Sequence, residues 1–135
     1  MKYFSLNHNT KNTSFSDAVI RGLAPDRGLY FPEKIPTLPK RFFDRIEGMS
    51  IPQMAYKVIK PFVGKQINKK KLKKIVTETL DFEFPLIEIT DNIAALELFQ
   101  GPTLAFKDVG ARFMARALGH FNKGANKKIT VLVAT

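Results

Sequence analysis

Residues 129–133 read Ile129, Thr130, Val131, Leu132 and Val133, a nearly unbroken β-branched run. A run without polar alternation suits a strand buried on both faces, as in a parallel sheet. Before it, residues 105–121 place Phe106, Val109, Phe113, Ala117 and Phe121 at helical intervals, with Gly124 beyond the end. Earlier still, Leu86, Ile87 and Ile89, then Asp91 and Asn92, then residues 93–99 read as two strands joined by a tight turn. The expectation is strand, helix, strand: a βαβ unit of an α/β fold. Such a sheet needs further strands and helices to cover it, and its ligand sits beyond the carboxyl ends of the strands. On this reading the sequence stops, at Thr135, where a binding loop begins.

Residues 1–82 have a different character. A short strand over 1–6 leads to Phe15, Ala18, Val19 and Leu23 on one helix face, with Ser14 and Asp17 at cap spacing and Gly22 and Pro25 closing it. Asp26, Arg27 and Gly28 form a turn before an extended run of Leu29, Tyr30 and Phe31. Three helical stretches follow. One spans 39–47; one opens on a Ser50–Gln53 capping box, buries Met54, Ala55, Val58 and Ile59, and stops at Pro61; one starts near Asn68 and carries Leu72, Ile75, Val76 and Leu80.

Composition narrows the function classes. The chain has 135 residues, 44% hydrophobic, enough for one ordinary core. Without cysteine there is no disulfide framework, two histidines leave little for a metal site, and none is expected. No apolar run approaches the ~18 residues that span a bilayer, and the polar N-terminus is unlike a signal peptide. The expected address is the cytoplasm, with no membrane partner.

Lys plus Arg 22 against Asp plus Glu 12 leaves a net charge of +10, which favours anionic partners without choosing among them. Lys69, Lys70, Lys71, Lys73 and Lys74 are interrupted by Leu72, Ile75 and Val76 at helical spacing and lack interleaved aromatics. They read as the wet face of an amphipathic helix, not a nucleic-acid site. His8 and His120 read as structural.

Lys107 is the sharper candidate. It follows a Gly101-Pro102-Thr103 loop and falls in the expected first turn of the long helix, where the helix end carries roughly half a positive charge. If Phe99, Leu104 and Phe106 also desolvate it, its ammonium form is disfavoured twice. A neutral amine is what imine formation with an aldehyde cofactor requires. The alternative is an exposed lysine snorkelling past apolar neighbours. Asp108 either complements the helix N-terminus or serves the site. Thr103 either caps the helix or offers a hydroxyl to a ligand, and Arg112 is spaced to pair with Asp108 along the helix.

The stretch Leu98-Phe99-Gln100-Gly101-Pro102-Thr103-Leu104-Ala105-Phe106-Lys107-Asp108 resembles the cofactor-lysine segment of threonine synthases, pyridoxal-phosphate enzymes of the tryptophan-synthase-β type. A second segment, Phe15-Ser16-Asp17-Ala18 through Gly22-Leu23-Ala24-Pro25-Asp26-Arg27-Gly28-Leu29-Tyr30-Phe31-Pro32, is similar to the helix and turn that open that family's N-terminal domain. The resemblance implies a small, mainly helical domain over residues 1–82. After it, residues 83–135 would be the incomplete start of a three-layer α/β/α cofactor domain. It implies that Lys107 binds pyridoxal 5'-phosphate and later shuttles protons, with Thr103, Phe106 and Asp108 as neighbours in the motif. The implied reaction converts O-phospho-L-homoserine and water to L-threonine and phosphate.

Two residues depart from the pattern: Gln100 stands where the family commonly has His, leaving a hydrogen bond near the cofactor open, and Arg27 where it has Gly, a turn change of little expected effect. A Ser-Gly-Asp-Thr-Gly loop and later cofactor-binding segments have no counterpart in these residues. The expectation is an N-terminal piece of a threonine synthase, inactive alone. Competing readings are a related phospho-lyase acting on another phosphorylated amino acid, and a basic module binding RNA or acidic proteins, which rests on the net charge alone.

Overall fold

The computed structural model describes residues 1–125 and 128–132. Local signals set most of its elements. Strand β1 (Tyr3–Ser5) pairs antiparallel with β2 (Tyr30–Pro32), and helix α1 (Phe15–Arg21) lies between them in sequence. The Ser14 side chain accepts from the Asp17 amide as the N-cap. The turn leading to β2 is organised by Asp26: Ser5 Oγ donates to its carboxylate at 2.6 Å, as do the amides of Gly28 and Asn9 at 3.0 Å. Those donors, the Ser5 hydroxyl foremost, hold the Asp26 carboxyl below its usual range. Gly28 is required here, because a Cβ would lie 2.0 Å from Ser5 Oγ.

Arg27 has φ +65°, a conformation that costs an L side chain about 1–2 kcal/mol and glycine nothing. The turn therefore explains a glycine at this position. Arg27→Gly should raise stability by about 0.5–1 kcal/mol, the relieved strain being partly offset by the freer unfolded chain. Urea unfolding of the two proteins checks this; an unchanged or lower midpoint contradicts it.

The 39–47 stretch is broken. Helix α2 (Lys40–Phe43) is followed by a 3-10 turn (Ile46–Gly48), with Arg45 at φ −124° between them. Pro39 gives no side-chain cap and only Phe42 is buried, too little packing to hold a longer helix together. Helix α3 (Ile51–Val63) has the Ser50–Gln53 capping box but runs through Pro61 instead of stopping there. Pro inside a helix costs ~3 kcal/mol. Burial of Val63, 1% exposed, returns ~1.5–3 kcal/mol. Tyr3 Oη adds a 2.9 Å bond to the Phe62 carbonyl, and the Gly64 amide caps Lys60 O at 2.9 Å. Burial pushes the Tyr3 phenol up to about 12. Of the α3 face expected to be buried, Met54, Ala55 and Ile59 are half-buried and Val58 is exposed.

Helix α4 (Lys69–Thr79) starts at Asn68, whose side chain accepts from the Lys71 amide. Its apolar stripe forms the core: Leu72, Ile75 and Val76 cluster with Val63 and Ile67, and Phe15, Phe113 and Phe121 pack around them. Strands β3 (Leu86–Thr90) and β4 (Ile93–Leu96) form the expected hairpin about Asp91 and Asn92, exposed on both faces. Strand β4 ends at Leu96, earlier than residue 99. Glu97 N donates to Pro85 O at 2.9 Å, and Pro85 has no N–H to continue the ladder.

Helix α5 (Asp108–Phe121) packs on α1 and α4. The chain is thus a mixed α/β structure with, among the described residues, two separate two-stranded antiparallel sheets. Residues 129–132 form no strand among the described residues, since a parallel strand exists only by pairing with a neighbour, and residues 133–135 lie outside those described. No helix among the described residues is long and apolar enough to cross a membrane.

Candidate active site

The loop between β4 and α5 carries the residues singled out in the sequence. Its shape is set by Asp108, which is buried although it opens the helix. Thr103 Oγ1 donates to Asp108 Oδ1 at 2.7 Å, and the Thr103 amide donates to Oδ2 at 2.9 Å. The Thr103 hydroxyl thus locks onto the carboxylate five residues on and does not act as the N-cap of α5. Gly101 is the residue that sequence reasoning passed over. A Cβ there would lie 2.4 Å from Asp108 Oδ2, so only glycine lets the carboxylate fold back over the loop. The signal was present as a glycine two residues before the threonine.

Two turns complete the loop, with Leu104 N on Gly101 O and Asp108 N on Ala105 O, each at 3.0 Å. Leu104 sits at φ +57°, a strained conformation for a bulky side chain and one that concentrates at ligand-handling loops. These turns delay the helix, which starts at Asp108 and not near Ala105. Lys107 is consequently the N-cap residue, just before the first turn rather than within it. It still stands at the positive end of the helix.

Lys107 is exposed, and among the described residues no carboxylate or carbonyl engages its ammonium. The expected desolvation is absent within these residues: Phe99, Leu104 and Phe106 are 50%, 74% and 64% exposed. Phe106 therefore falls outside the helical stripe expected over 105–121, because it precedes the helix. Gln100 donates to Glu97 Oε2 at 2.9 Å and is exposed.

Arg112 also departs from expectation. Its guanidinium reaches the Asp81 carboxylate and the Glu78 carbonyl at the end of α4, and lies 5.5 Å from the centre of the Phe82 ring. The intrahelical pair with Asp108 is displaced by partners more than thirty residues away. Arg116 adds a 3.4 Å contact to Glu78, so two arginines tie α5 to α4 and fix the end of the helix that carries Lys107.

The donors from Thr103, side chain first and amide second, hold the Asp108 carboxyl below its usual range. A depressed folded value means that the ionised carboxylate's stabilisation is complete above its unfolded value, about 3.9, and is lost as pH falls through the folded one. Thr103→Val should move the Asp108 titration upward, so that the loop loosens at higher pH. Carboxyl-carbon NMR of Asp108 reads this directly, and an unmoved titration would show that Thr103 does not hold the carboxylate.

The family model described as Threonine synthase N terminus matches residues 2–80, more than half of the chain. The chain belongs to the threonine synthase family. Threonine synthase of Buchnera aphidicola subsp. Baizongia pistaciae is 40% identical over all of this chain, and that of Escherichia coli is 35% identical. The chain spans 32% and 31% of those relatives. Among solved structures, PLP-bound threonine synthase from Brucella melitensis matches with a TM-score of 0.88 at 34% identity, over 95% of this chain and 29% of that one. The Escherichia coli structure matches with a TM-score of 0.84 over 90% of this chain and 28% of that one. The resemblance read from the two sequence motifs is thus shown at the level of family and of α/β fold.

Proposed function

We propose that this threonine synthase family chain supplies the cofactor lysine of an enzyme converting O-phospho-L-homoserine and water to L-threonine and phosphate. The observation that carries the reading is the loop geometry. Asp108 and Gly101 brace a strained turn that delivers a primary amine, Lys107, unpaired among the described residues, at the N-terminus of α5. The donor chemistry fits pyridoxal 5'-phosphate, whose aldehyde takes a primary amine not committed to an ion pair. When bound, that group supplies an electron sink for carbanions at the substrate carbons.

The chain's own residues have simpler tasks. Lys107 would hold the cofactor and would move protons at the substrate's α and β carbons. Asp108 and Thr103 hold the loop in register, and α5, anchored by Arg112, keeps the amine in place. Phe106 offers an exposed ring beside Lys107 to shield the site from water. We further propose a division at residues 82 and 83 between the helical domain and the cofactor domain, and a cytoplasmic address. The 135 residues alone are inactive, since they span less than a third of their relatives.

The experiment is borohydride reduction with pyridoxal phosphate in a chain completed to its relatives' length. The label should map to Lys107, and a label elsewhere refutes the assignment. Phosphate release from O-phospho-L-homoserine, compared with other phosphorylated amino acids, separates the stated substrate from a related phospho-lyase reaction.

A further inference from the structure

The helical part of the chain holds a second feature, remote in sequence from the Lys107 loop. Between α2, α3 and the start of α4 lies a groove of about 850 Å³ lined by Arg41, Arg45, Lys57, Lys60, Lys65 and Lys69. No acidic side chain lines it, and among the described residues none of the six is ion-paired. Phe42, Leu38 and Pro61 give it an apolar floor. Two neighbouring hollows, of about 260 and 710 Å³, share Tyr56 and Lys69 with it. Tyr56 lines all three, with its hydroxyl buried and, among the described residues, without a hydrogen-bond partner.

The lysine cluster is therefore not one uniform wet face. Lys69 lines the groove, and Lys73 turns toward Tyr56 with Nζ 5.7 Å from the ring centre, while Lys74 pairs with Glu78 at 3.6 Å. Cations gathered around one concavity repel each other, and low-dielectric walls focus their potential on whatever enters. An anion of high charge density relieves that repulsion.

We propose that this groove binds a small ligand carrying several adjacent phosphates. Recognition of nucleic acid through stacked bases needs free aromatic faces. The groove's two rings are both engaged: Phe42 is buried and meets Phe43 edge-on at 5.2 Å, and Tyr56 is approached by the ammonium groups of Lys60 at 6.0 Å and Lys73. Charge without stacking surface selects a compact polyphosphate. Neither Lys107 nor Asp108 lines the groove, so the proposal stands apart from the cofactor reading.

Calorimetry with inorganic tripolyphosphate at about 150 mM salt tests it on the 135-residue chain. One saturable site is expected. The triple variant Lys57→Gln, Lys60→Gln, Lys69→Gln should weaken binding about tenfold or more, whereas Lys70→Gln, Lys74→Gln, Lys123→Gln, which removes the same charge elsewhere, should weaken it less than about threefold. Tripolyphosphate should also shift the Tyr56 ring resonances, assigned through Tyr56→Phe. Comparison with ATP tells whether a nucleoside adds to the shared phosphate chemistry. Equal weakening by the two triple variants, no saturation, or preference for a single-stranded oligothymidylate or hexaglutamate overturns the proposal.

Discussion

Replacing Lys107 with Met in a chain completed to the length of its relatives is expected to lower turnover about a thousandfold or more, since the proposed function assigns one amine both the anchoring and the base role. Met keeps the apolar stem and removes only the nucleophile, so the loop braced by Asp108 and Gly101 should persist. Circular dichroism and thermal midpoint should accordingly match the parent protein. The cofactor's visible absorption at the lysine should vanish along with the borohydride label. Retention of full turnover would remove the basis of the proposed function, because no other side chain in the described loop carries an amine.

The second large effect concerns stability. Leu72 is 1% exposed and sits amid Val63, Ile67, Ile75 and Val76. Leu72→Ala removes buried methyl groups and leaves a cavity that surrounding helices refill only in part, a loss of about 3 kcal/mol. That is a large share of the ~5–15 kcal/mol typical of a domain. The urea midpoint should fall by about 1–2 M. Ile35→Ala, at a position 69% exposed, should stay within about 0.5 kcal/mol. If the two substitutions cost the same, α4 does not form the core as described.

Much of the fold was legible because its determinants act over a few residues. The caps at Ser14, Ser50 and Asn68, the hairpin turn at Asp91 and Asn92, and the apolar stripe of α4 all appear where local spacing places them. The misreadings share a cause. Pro61 reads as a stop because its local cost is visible in the sequence, whereas the opposing packing around Val63 and the Tyr3 bond come from other segments of the chain. The α5 periodicity reads back to Ala105 because Asp108's hold on Thr103, which bends the loop before the helix, leaves no hydrophobic pattern.

Lys107 was legible as a residue type at the mouth of a helix, and the family followed from motif order. Its surroundings were not legible. Whether Phe99, Leu104 and Phe106 cover it depends on which way a strained loop turns. Arg112 shows the same division: helical spacing offered Asp108, and the packed structure chose Asp81 and Glu78.

Sequence alone determined which segments form helices and hairpins, that one lysine heads the last helix, and to which family these motifs belong. Tertiary structure decided what each charged side chain meets. It alone gathered the cations of α2, α3 and α4 around one groove and set Asp26 and Asp108 as the hubs of their turns. Caps and periodicities are settled by contacts between near neighbours, whose encounter costs little entropy. Partners tens of residues apart meet only when burial elsewhere has already closed the loop between them.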